Sequence, residues 1–556
     1  MLDLTIRNAT ILDGTGAEPF TADIGITADT ITAIADLSAV ESRDTIDLSP
    51  PPALSERSGD HAVALQGEGG RPPTSACPPK PEGRRGNLRL APGFIDTHTH
   101  SDTYLLIEPS APSKVFQGIT TEVCGNCGAS GAPISDISQL PADWADKEYP
   151  GRWNSVAEYR LLFEQAQPAV NAVLLIGHNT LRRNIVGYDN RPAASDELQR
   201  MLQLAEESME AGGRGLTTGL VYAPGMYAPR EEIVALASVA GRHGGIYASH
   251  MRSEGAQLIE AIDETIAIGE AAGARIQVSH LKAAGRANWH KIDAALDRIH
   301  AARDRGLPVM ADRYPYTAGA TDLDVVFPAW FAEGGRDVIL KRLADPGERA
   351  RLRSELLDSR PTEEWGGVMV GSTTHPDNLR FRGMNLLEVG EVLDCDPVDA
   401  ILHLCETDKL NTGAFFSGMC EDNMFRILAE PYVMLGSDAS LRATTGPLSH
   451  DYPHPRAYGS FPRFLRWSLD GKTVPLPEAI RKMTSLPASQ FGLNDRGLIA
   501  EGKKADIVIF DPNQIQDCAT YGNPHQLSQG IIHLIVNGTP TIRNGQLTGD
   551  CAGRVV

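Results

Sequence analysis

The sequence predicts an α/β protein: a (β/α)8 TIM-like barrel carrying a small β-sandwich domain built from both chain termini. Three observations point there. Eight short strand-like runs recur through the middle of the chain, at 94–98, 120–124, 172–177, 215–222, 245–250, 275–280, 308–312 and 432–438. Helical apolar spacing fills the gaps between several of them, at 196–211, 230–243, 256–272 and 289–305. Both ends of the chain are instead rich in short alternating runs. Repeated strand–helix units give a parallel sheet, and eight of them give a barrel.

Taken in order, residues 1–49 form the first half of the β module, with strands at 4–7, 9–12, 23–26 and 30–34 and a turn at Asp13-Gly14. Residues 50–89 break this pattern. The stretch Pro50–Gly86 is dense in Pro, Gly and Arg and has no period, so it reads as a disordered surface insertion between 46–48 and 90–93. Its glycines at 67–70 do not follow a strand, which excludes a nucleotide loop. The barrel spans 90–490. The gap between its seventh and eighth strands is too long for one crossover helix and predicts an inserted lid subdomain at about 322–430, including 331–357. Residues 491–556 return to strands at 505–510, 531–536 and 541–542, with Asn537-Gly538 as a hairpin turn, and complete the terminal module.

Bulk properties narrow the function. At 556 residues the chain exceeds one small core, and 42% hydrophobic with 22% charged residues is ordinary for a soluble globular protein. A net charge of -20 disfavours nucleic acid and anionic membranes as partners, since both are polyanions. No apolar run approaches a bilayer-spanning length, and residues 1–7 lack a signal-peptide pattern. Eight cysteines are too sparse for a disulfide framework. The expectation is a cytoplasmic enzyme with reduced thiols acting on a small molecule.

The chemistry is concentrated where barrel enzymes place it, at the C-terminal ends of the strands. The string Gly93-Phe94-Ile95-Asp96-Thr97-His98-Thr99-His100 sets two histidines at i, i+2, on one face of a strand. Neutral imidazoles so close suit a divalent metal. The second strand ends in Cys124-Gly125-Asn126-Cys127, the fifth in Ser249-His250, the sixth in Ser279-His280-Leu281-Lys282 and the eighth in Gly436-Ser437-Asp438. One HxH is a weak signal; this ordered set on one rim is a strong one.

The set resembles the amidohydrolase superfamily, and within it the D-aminoacylase (N-acyl-D-amino-acid deacylase) branch. Besides the first-strand string, the resemblance rests on Gly118-Ile119-Thr120-Thr121, Gly125-Asn126-Cys127-Gly128, Ser249-His250-Met251-Arg252-Ser253-Glu254, His454-Pro455-Arg456 and Gly502-Lys503-Lys504-Ala505-Asp506-Ile507-Val508-Ile509. It covers the chain except Pro50–Gly86, and the loop 439–452 is longer than the family pattern. The resemblance implies a zinc held tightly by Cys127, His250 and His280, and a second, weaker site at His98, His100 and Asp438. Cys127 then takes the bridging place that a carbamylated lysine holds in many relatives, and a thiolate is a good zinc ligand. Asp438 is implied as the proton shuttle, with Lys282, Tyr314 and Arg456 binding the substrate carboxylate. The implied reaction is hydrolysis of an N-acyl-D-amino acid to a carboxylate and a free D-amino acid.

Competing readings are weaker. A cyclic-amide hydrolase of the dihydroorotase or hydantoinase type would bring the carbamylated lysine that Cys127 displaces. A non-catalytic binding module would have lost ligands, yet all six positions are filled. Cys124 and Cys127 form CxxC without a thioredoxin-like context, and Cys124 reads as a buried strand residue. No GxSxG elbow supports a serine hydrolase. His178 and His243 match no string and read as structural or surface residues. The preferred side chain, the acyl group and the oligomeric state are not fixed by these motifs.

Overall fold

The computed structural model describes residues 1–49 and 88–556, so the insertion expected at Pro50–Gly86 lies outside the described residues. Eight central strands are present at the expected places: Phe94–Asp96, Ile119–Cys124, a third running through Asn171–Leu174 and Ile176–Gly177, then Gly215–Gly219, Ile246–His250, Arg275–Val278, Val309–Arg313 and Val433–Leu435. Neighbours in this order pair in parallel. The third strand is interrupted only at Leu175, whose N–H donates to the Cys124 carbonyl at 3.0 Å. Beyond the ends of the first and eighth strands a parallel bridge joins Thr99 to Ala439, and the Asp438 N–H donates to the His98 carbonyl at 2.8 Å.

Burial explains why these runs become central strands. Ile119–Cys124, Gly215–Gly219 and Ile246–His250 are buried at every residue, as parallel strands covered on both faces must be. The connecting helices bury one stripe each. Leu258–Ala272 buries Leu258, Ala261, Ile262, Thr265, Ile266, Ile268, Gly269 and Ala272, a spacing of three and four, and stops at Gly273 with φ 63°. Val156–Ala166 starts from a Ser155/Glu158 capping box. The strands are shorter than the sequence suggested. The first, sixth and eighth end at Asp96, Val278 and Leu435, so the histidines and the aspartate expected on them sit on the following loops.

The long gap before the eighth strand does hold an insertion. Its strands Ala318–Asp322, Val368–Val370 and Gly413–Ser417 form an antiparallel sheet, and helices Arg336–Ala344 and Pro346–Ser359 contribute Ile339, Leu343, Leu352 and Leu356 to the same buried cluster as Val368, Val370 and Ala414. A separate hydrophobic core, with Phe331, Trp365, Phe381 and Ile401 fully buried, is drawn entirely from this segment. Among the described residues no helix is long and apolar enough to cross a membrane.

Both termini join one nine-stranded sheet. The expected strands at 4–7 and 9–12 are a single strand, Leu2–Ile11, whose register shifts between Ile6 and Ala9 around Asn8 at φ 57°. The bulge accounts for the break expected between the two. Asn537 and Gly538 have φ 46° and 80°, the two left-handed positions that a tight hairpin between Ile531–Val536 and Thr539–Arg543 requires. Arg89–Pro92 links the halves, pairing in parallel with Leu2–Ile11 and antiparallel with Ile507–Phe510.

The strands flanking the insertion lie in line. Ser42–Asp47 pairs with Leu2–Ile11 up to Arg7, and Arg89 takes up the same edge at Thr10. Three strand residues span about 10 Å. Replacing residues 50–87 by a link of roughly four Gly and Ser residues, each reaching about 3.3 Å, is therefore expected to leave the melting temperature and kcat/KM close to those of the full chain. Insoluble or inactive shortened protein would show that the segment is structural.

Candidate active site and metal centre

All six residues expected to bind metal converge at the C-terminal ends of the central strands. Cys127 lies at the middle: its Sγ is 3.2 Å from His98 Nε2 and 3.4 Å from His280 Nε2. Asp438 Oδ1 is 3.4 Å from His98 Nε2 and 3.1 Å from His100 Nε2. The donor atoms of His98, Cys127, His280 and Asp438 all fall within 4.8 Å of one another, and His250, Glu254 and His280 form a second such group. The His250 and His280 rings meet edge-on at 4.4 Å.

Three of these residues, Cys127, His280 and Asp438, hold φ values of 52°, 35° and 52°. The left-handed region is uncommon for non-glycine residues and is kept only where neighbours fix it. Each has such an anchor. The His280 N–H donates to Asp312 Oδ1 at 2.8 Å, and that of Asp438 to the His98 carbonyl. Cys127 is followed by Gly128, whose N–H donates to Thr217 Oγ1 at 3.1 Å, and a Cβ at Gly219 would run into the Cys127 carbonyl.

Carboxylates stand behind the histidines. His98 Nδ1 lies 3.1 Å from Asp312 Oδ1, and His280 Nδ1 lies 2.8 Å from Glu254 Oε1. A carboxylate on Nδ1 fixes the ring and leaves Nε2 as the ligating atom, the usual outer support of a metal-bound histidine. In both rings it is Nε2 that faces Cys127. Sequence reasoning assigned no role to Asp312. Nor did it assign one to Glu254, because an acid near a strand end carries no mark of which ring it will meet.

Charge completes the fit to a metal. Burial alone would push the Cys127 thiol up, but His98 and His280 beside it hold it well below its ordinary value. Burial would likewise raise the Asp438 carboxyl, and Arg456, His98 and His280 hold it well below the usual carboxylate range. Despite burial, the Cys127 sulfur and the Asp438 carboxylate raise His98 and His280 in turn, so a cation entering the cluster takes the place of their protons, and the imidazoles so freed form with the thiolate and carboxylate a donor set that suits zinc. Ligands of one tetrahedral ion with bonds of about 2.0–2.3 Å stand roughly 3.3–3.8 Å apart, which matches the Cys127–His280 and His98–Asp438 separations of 3.4 Å.

The three expected carboxylate binders adjoin this cluster. Arg456 donates from Nη1 to Asp438 Oδ2 at 2.8 Å and from Nη2 to the Ala320 carbonyl at 3.1 Å. Lys282 lies past the end of its strand rather than on it. Its Nζ meets Glu254, the His280 carbonyl at 2.9 Å and His280 Nδ1 at 2.8 Å, so that ring nitrogen lies between a carboxylate and an ammonium. Tyr314 is buried, with the Arg456 guanidinium carbon 4.8 Å and Lys282 Nζ 5.9 Å from its ring centre. Tyr222, unforeseen in the sequence, meets His250 edge-on at 4.9 Å and accepts from Thr321 of the inserted segment at 3.2 Å.

Residues set aside stay outside the site. Cys124 is fully buried beside Thr99, and burial pushes its thiol well up. His178 pairs with Glu232 at 3.0 Å in a buried group with Arg182, and His243 pairs with Glu206 near the surface.

Known proteins share this architecture. A family profile described as "Amidohydrolase family" matches residues 431–542. The D-aminoacylase of Alcaligenes xylosoxydans xylosoxydans is 34% identical over 557 residues, covering 100% of this chain and 97% of that protein. The N-acyl-D-glutamate deacylase of the same organism is 34% identical over 538 residues, covering 97% and 93%. Among solved structures, the N-acyl-D-glutamate deacylase of Bordetella bronchiseptica, complexed with zinc and a phosphonate inhibitor, superposes with a TM-score of 0.79 at 30% identity, covering 100% of this chain and 99% of that one.

The geometry ranks two substitutions. Glu254→Gln removes outer support and is expected to weaken binding of a divalent metal by roughly 10- to 100-fold. Cys127→Ala removes the central donor and should weaken it further still. Competition against a chromophoric chelator measures both. Equal affinity for the wild type and Cys127→Ala would exclude the thiolate as a ligand.

Proposed function

The chain belongs to the D-aminoacylase family of amidohydrolases and hydrolyses the amide bond of N-acyl-D-amino acids; from that premise we propose that the cluster centred on Cys127 is its active site. The observation that carries the assignment is the Cys127 thiolate, within 3.4 Å of two histidine Nε2 atoms whose other nitrogens face carboxylates. In this reading the metal is zinc, held tightly by Cys127, His250 and His280, with a second, weaker site at His98, His100 and Asp438. Zinc bound there supplies a Lewis acid that polarises the amide carbonyl and makes water acidic enough to attack near neutral pH.

The remaining steps fall to the protein's own groups. Asp438 accepts the proton of the attacking water on its carboxylate and returns it to the departing amine, which is too basic to leave as an anion. Arg456 braces that carboxylate through Oδ2, and Oδ1 is the oxygen turned toward the histidine cluster, 3.1 Å from His100 Nε2. The guanidinium fork of Arg456, the Lys282 ammonium and the Tyr314 hydroxyl receive the substrate α-carboxylate. With carboxylate and carbonyl both fixed, the side chain has one direction left, which selects one enantiomer.

The eight central strands, joined from Thr99 to Ala439, support reading the middle of the chain as a closed (β/α)8 barrel over 90–490 with its lid at about 322–430. The terminal sheet, residues 1–49 and 491–556 with the segment near 89–92, supports a small sandwich-like domain curled around its own buried Ile and Leu residues. With a net charge of -20, the protein fits a cytoplasmic enzyme of small molecules without nucleic-acid or membrane partners.

Two substitutions test the roles. Asp438→Ala is expected to lower kcat by about 10²–10⁴-fold, the range for general acid–base catalysis, while tight zinc remains by elemental analysis. A loss of less than about tenfold would remove Asp438 from the proton path. Arg456→Lys keeps charge but loses the fork, so KM for an N-acetyl-D-amino acid should rise about tenfold or more. A wild type that turns over N-acetyl-D- and N-acetyl-L-amino acids equally would refute the carboxylate-anchored geometry.

A further inference from the structure

The sixth central strand, Arg275–Val278, carries one residue that packing does not explain. Ile276 and Val278 belong to the apolar cluster formed with helices Leu258–Ala272 and Ile292–Asp304. By the period-two rule Gln277 points the other way, away from those helices. It is fully buried there, and among the described residues its Oε1 has no hydrogen-bond partner. Burying an amide with one end unsatisfied is costly, so an apolar residue would be the ordinary occupant. What the amide does make is one short bond. Its Nε2 donates to Asp312 Oδ2 at 2.6 Å. Only the NH2 end can face a carboxylate, so that contact fixes which way the amide is turned.

Asp312 lies on the seventh strand, two residues beyond Met310, the ladder partner of Gln277. Its neighbour Ala311 joins the same apolar cluster, so Asp312 and Gln277 share the opposite face. The two carboxylate oxygens divide their contacts. Oδ1 serves the candidate metal cluster, 3.1 Å from His98 Nδ1 and accepting the His280 N–H at 2.8 Å. Oδ2 is held by Gln277, and among the described residues no lysine or arginine pairs with this carboxylate. A carboxyl torsion is broad by itself, and a twist would carry Oδ1 away from both of its contacts. The amide holds the plane of the carboxylate. Being neutral, it does so without competing for the negative charge that Asp312 offers His98, as a lysine would.

We propose that Gln277 is a positioning residue of the metal centre, acting through Asp312 on His98 and His280. The proposal rests on the metal reading above and adds a residue outside the ligand set. Asp312 reaches the ring of a ligand expected at the weaker site and the backbone N–H of one expected at the tight site. Gln277 therefore steadies both from a single hydrogen bond, one step further out than the carboxylate that supports the ring. The unsatisfied Oε1 follows from the same need, because the position calls for a neutral donor at this reach.

The test is a double-mutant cycle on the zinc affinity of the metal-free full chain, read by competition with a chromophoric chelator. Gln277→Met should weaken zinc binding by roughly tenfold, and Asp312→Ala by roughly 10- to 100-fold. In the Asp312→Ala background Gln277→Met should change the affinity by no more than about twofold, since the bond it removes is already gone. Gln277→Glu keeps the shape but sets an acceptor against an acceptor, so it should weaken zinc at least as much as Gln277→Met. The spectrum of the cobalt-loaded chain, which follows ligand geometry, should change in both Gln277 variants. Melting temperatures of the metal-free variants report folding separately, and if Asp312→Ala does not fold, the Gln277→Glu comparison decides. Additive losses in the cycle, wild-type affinity in Gln277→Glu, or an unchanged cobalt spectrum overturns the proposal and leaves Gln277 a packing residue. A wild type that binds no zinc overturns the metal reading itself, a distinct result seen without any substitution.

Discussion

The site depends on the seam where the first central strand meets the eighth. Asp96 is fully buried and accepts from Ser437 twice, from N–H to Oδ1 at 2.7 Å and from the hydroxyl to Oδ2 at 2.6 Å. Lys114, also fully buried, donates to Asp96 Oδ2 and to the Ala439 carbonyl, each at 3.1 Å. Glu122 completes the group 3.7 Å from Lys114, and burial pushes its carboxyl up to about 7. These contacts fix the residues on either side of Asp438 and the residue two before His98. Gly436 allows the approach, because a Cβ there would stand 2.8 Å from that of His98. Removing Lys114 would leave the buried Asp96 carboxylate without its cation, a loss of several kcal/mol by the usual scale of about 3–5. Two donors that follow strands far apart in sequence are thereby held side by side.

A second constraint comes from the backbone. Left-handed φ at Cys127, His280 and Asp438 costs on the order of 1–3 kcal/mol each, so the fold holds these residues against local preference. Relaxed to ordinary strand geometry, each side chain would turn away from the cluster. The strain and its anchors at Asp312, Thr217 and the His98 carbonyl therefore belong to one arrangement, in which rigid strands aim loop residues. Strand ends at Asp96, Val278 and Leu435 are where a chain can leave extended geometry without breaking a ladder.

Much of this was legible in the sequence, for identifiable reasons. The eight central strands show because buried parallel strands are continuous apolar runs, and the helices because one stripe must face them. The candidate ligands show because His, Cys and Asp recur at strand ends in order. The i, i+2 logic for His98 and His100 reached the right pairing by an inexact route: both residues lie beyond the strand, and their rings meet edge-on at 5.4 Å. The same rule misplaced Lys282, which reaches Glu254 from a loop. Asp312 was invisible as a support of the cluster. It sits in an ordinary strand, Val309–Arg313, and what distinguishes it is the histidine ring it meets. Such a meeting is a property of three dimensions.

The inserted segment explains how such a site can vary its substrate without disturbing its metal. The candidate ligands and their carboxylate supports all come from the central strands and the loops that follow them. The groups around the expected substrate differ in origin. Ala320 offers its carbonyl to Arg456, Thr321 donates to Tyr222, and Met419 covers Arg313 just after the inserted sheet. The segment between them folds on its own core, with Trp365 and Phe381 fully buried, so its packing does not draw on the core beneath the metal ligands. Changes at 318–321 or 417–420 would therefore alter the walls that meet a substrate while the Asp96 seam and the Cys127 cluster keep their shape. The inserted segment thus contributes part of the wall around the expected substrate while packing on a core of its own, and the candidate ligands stay with the central strands.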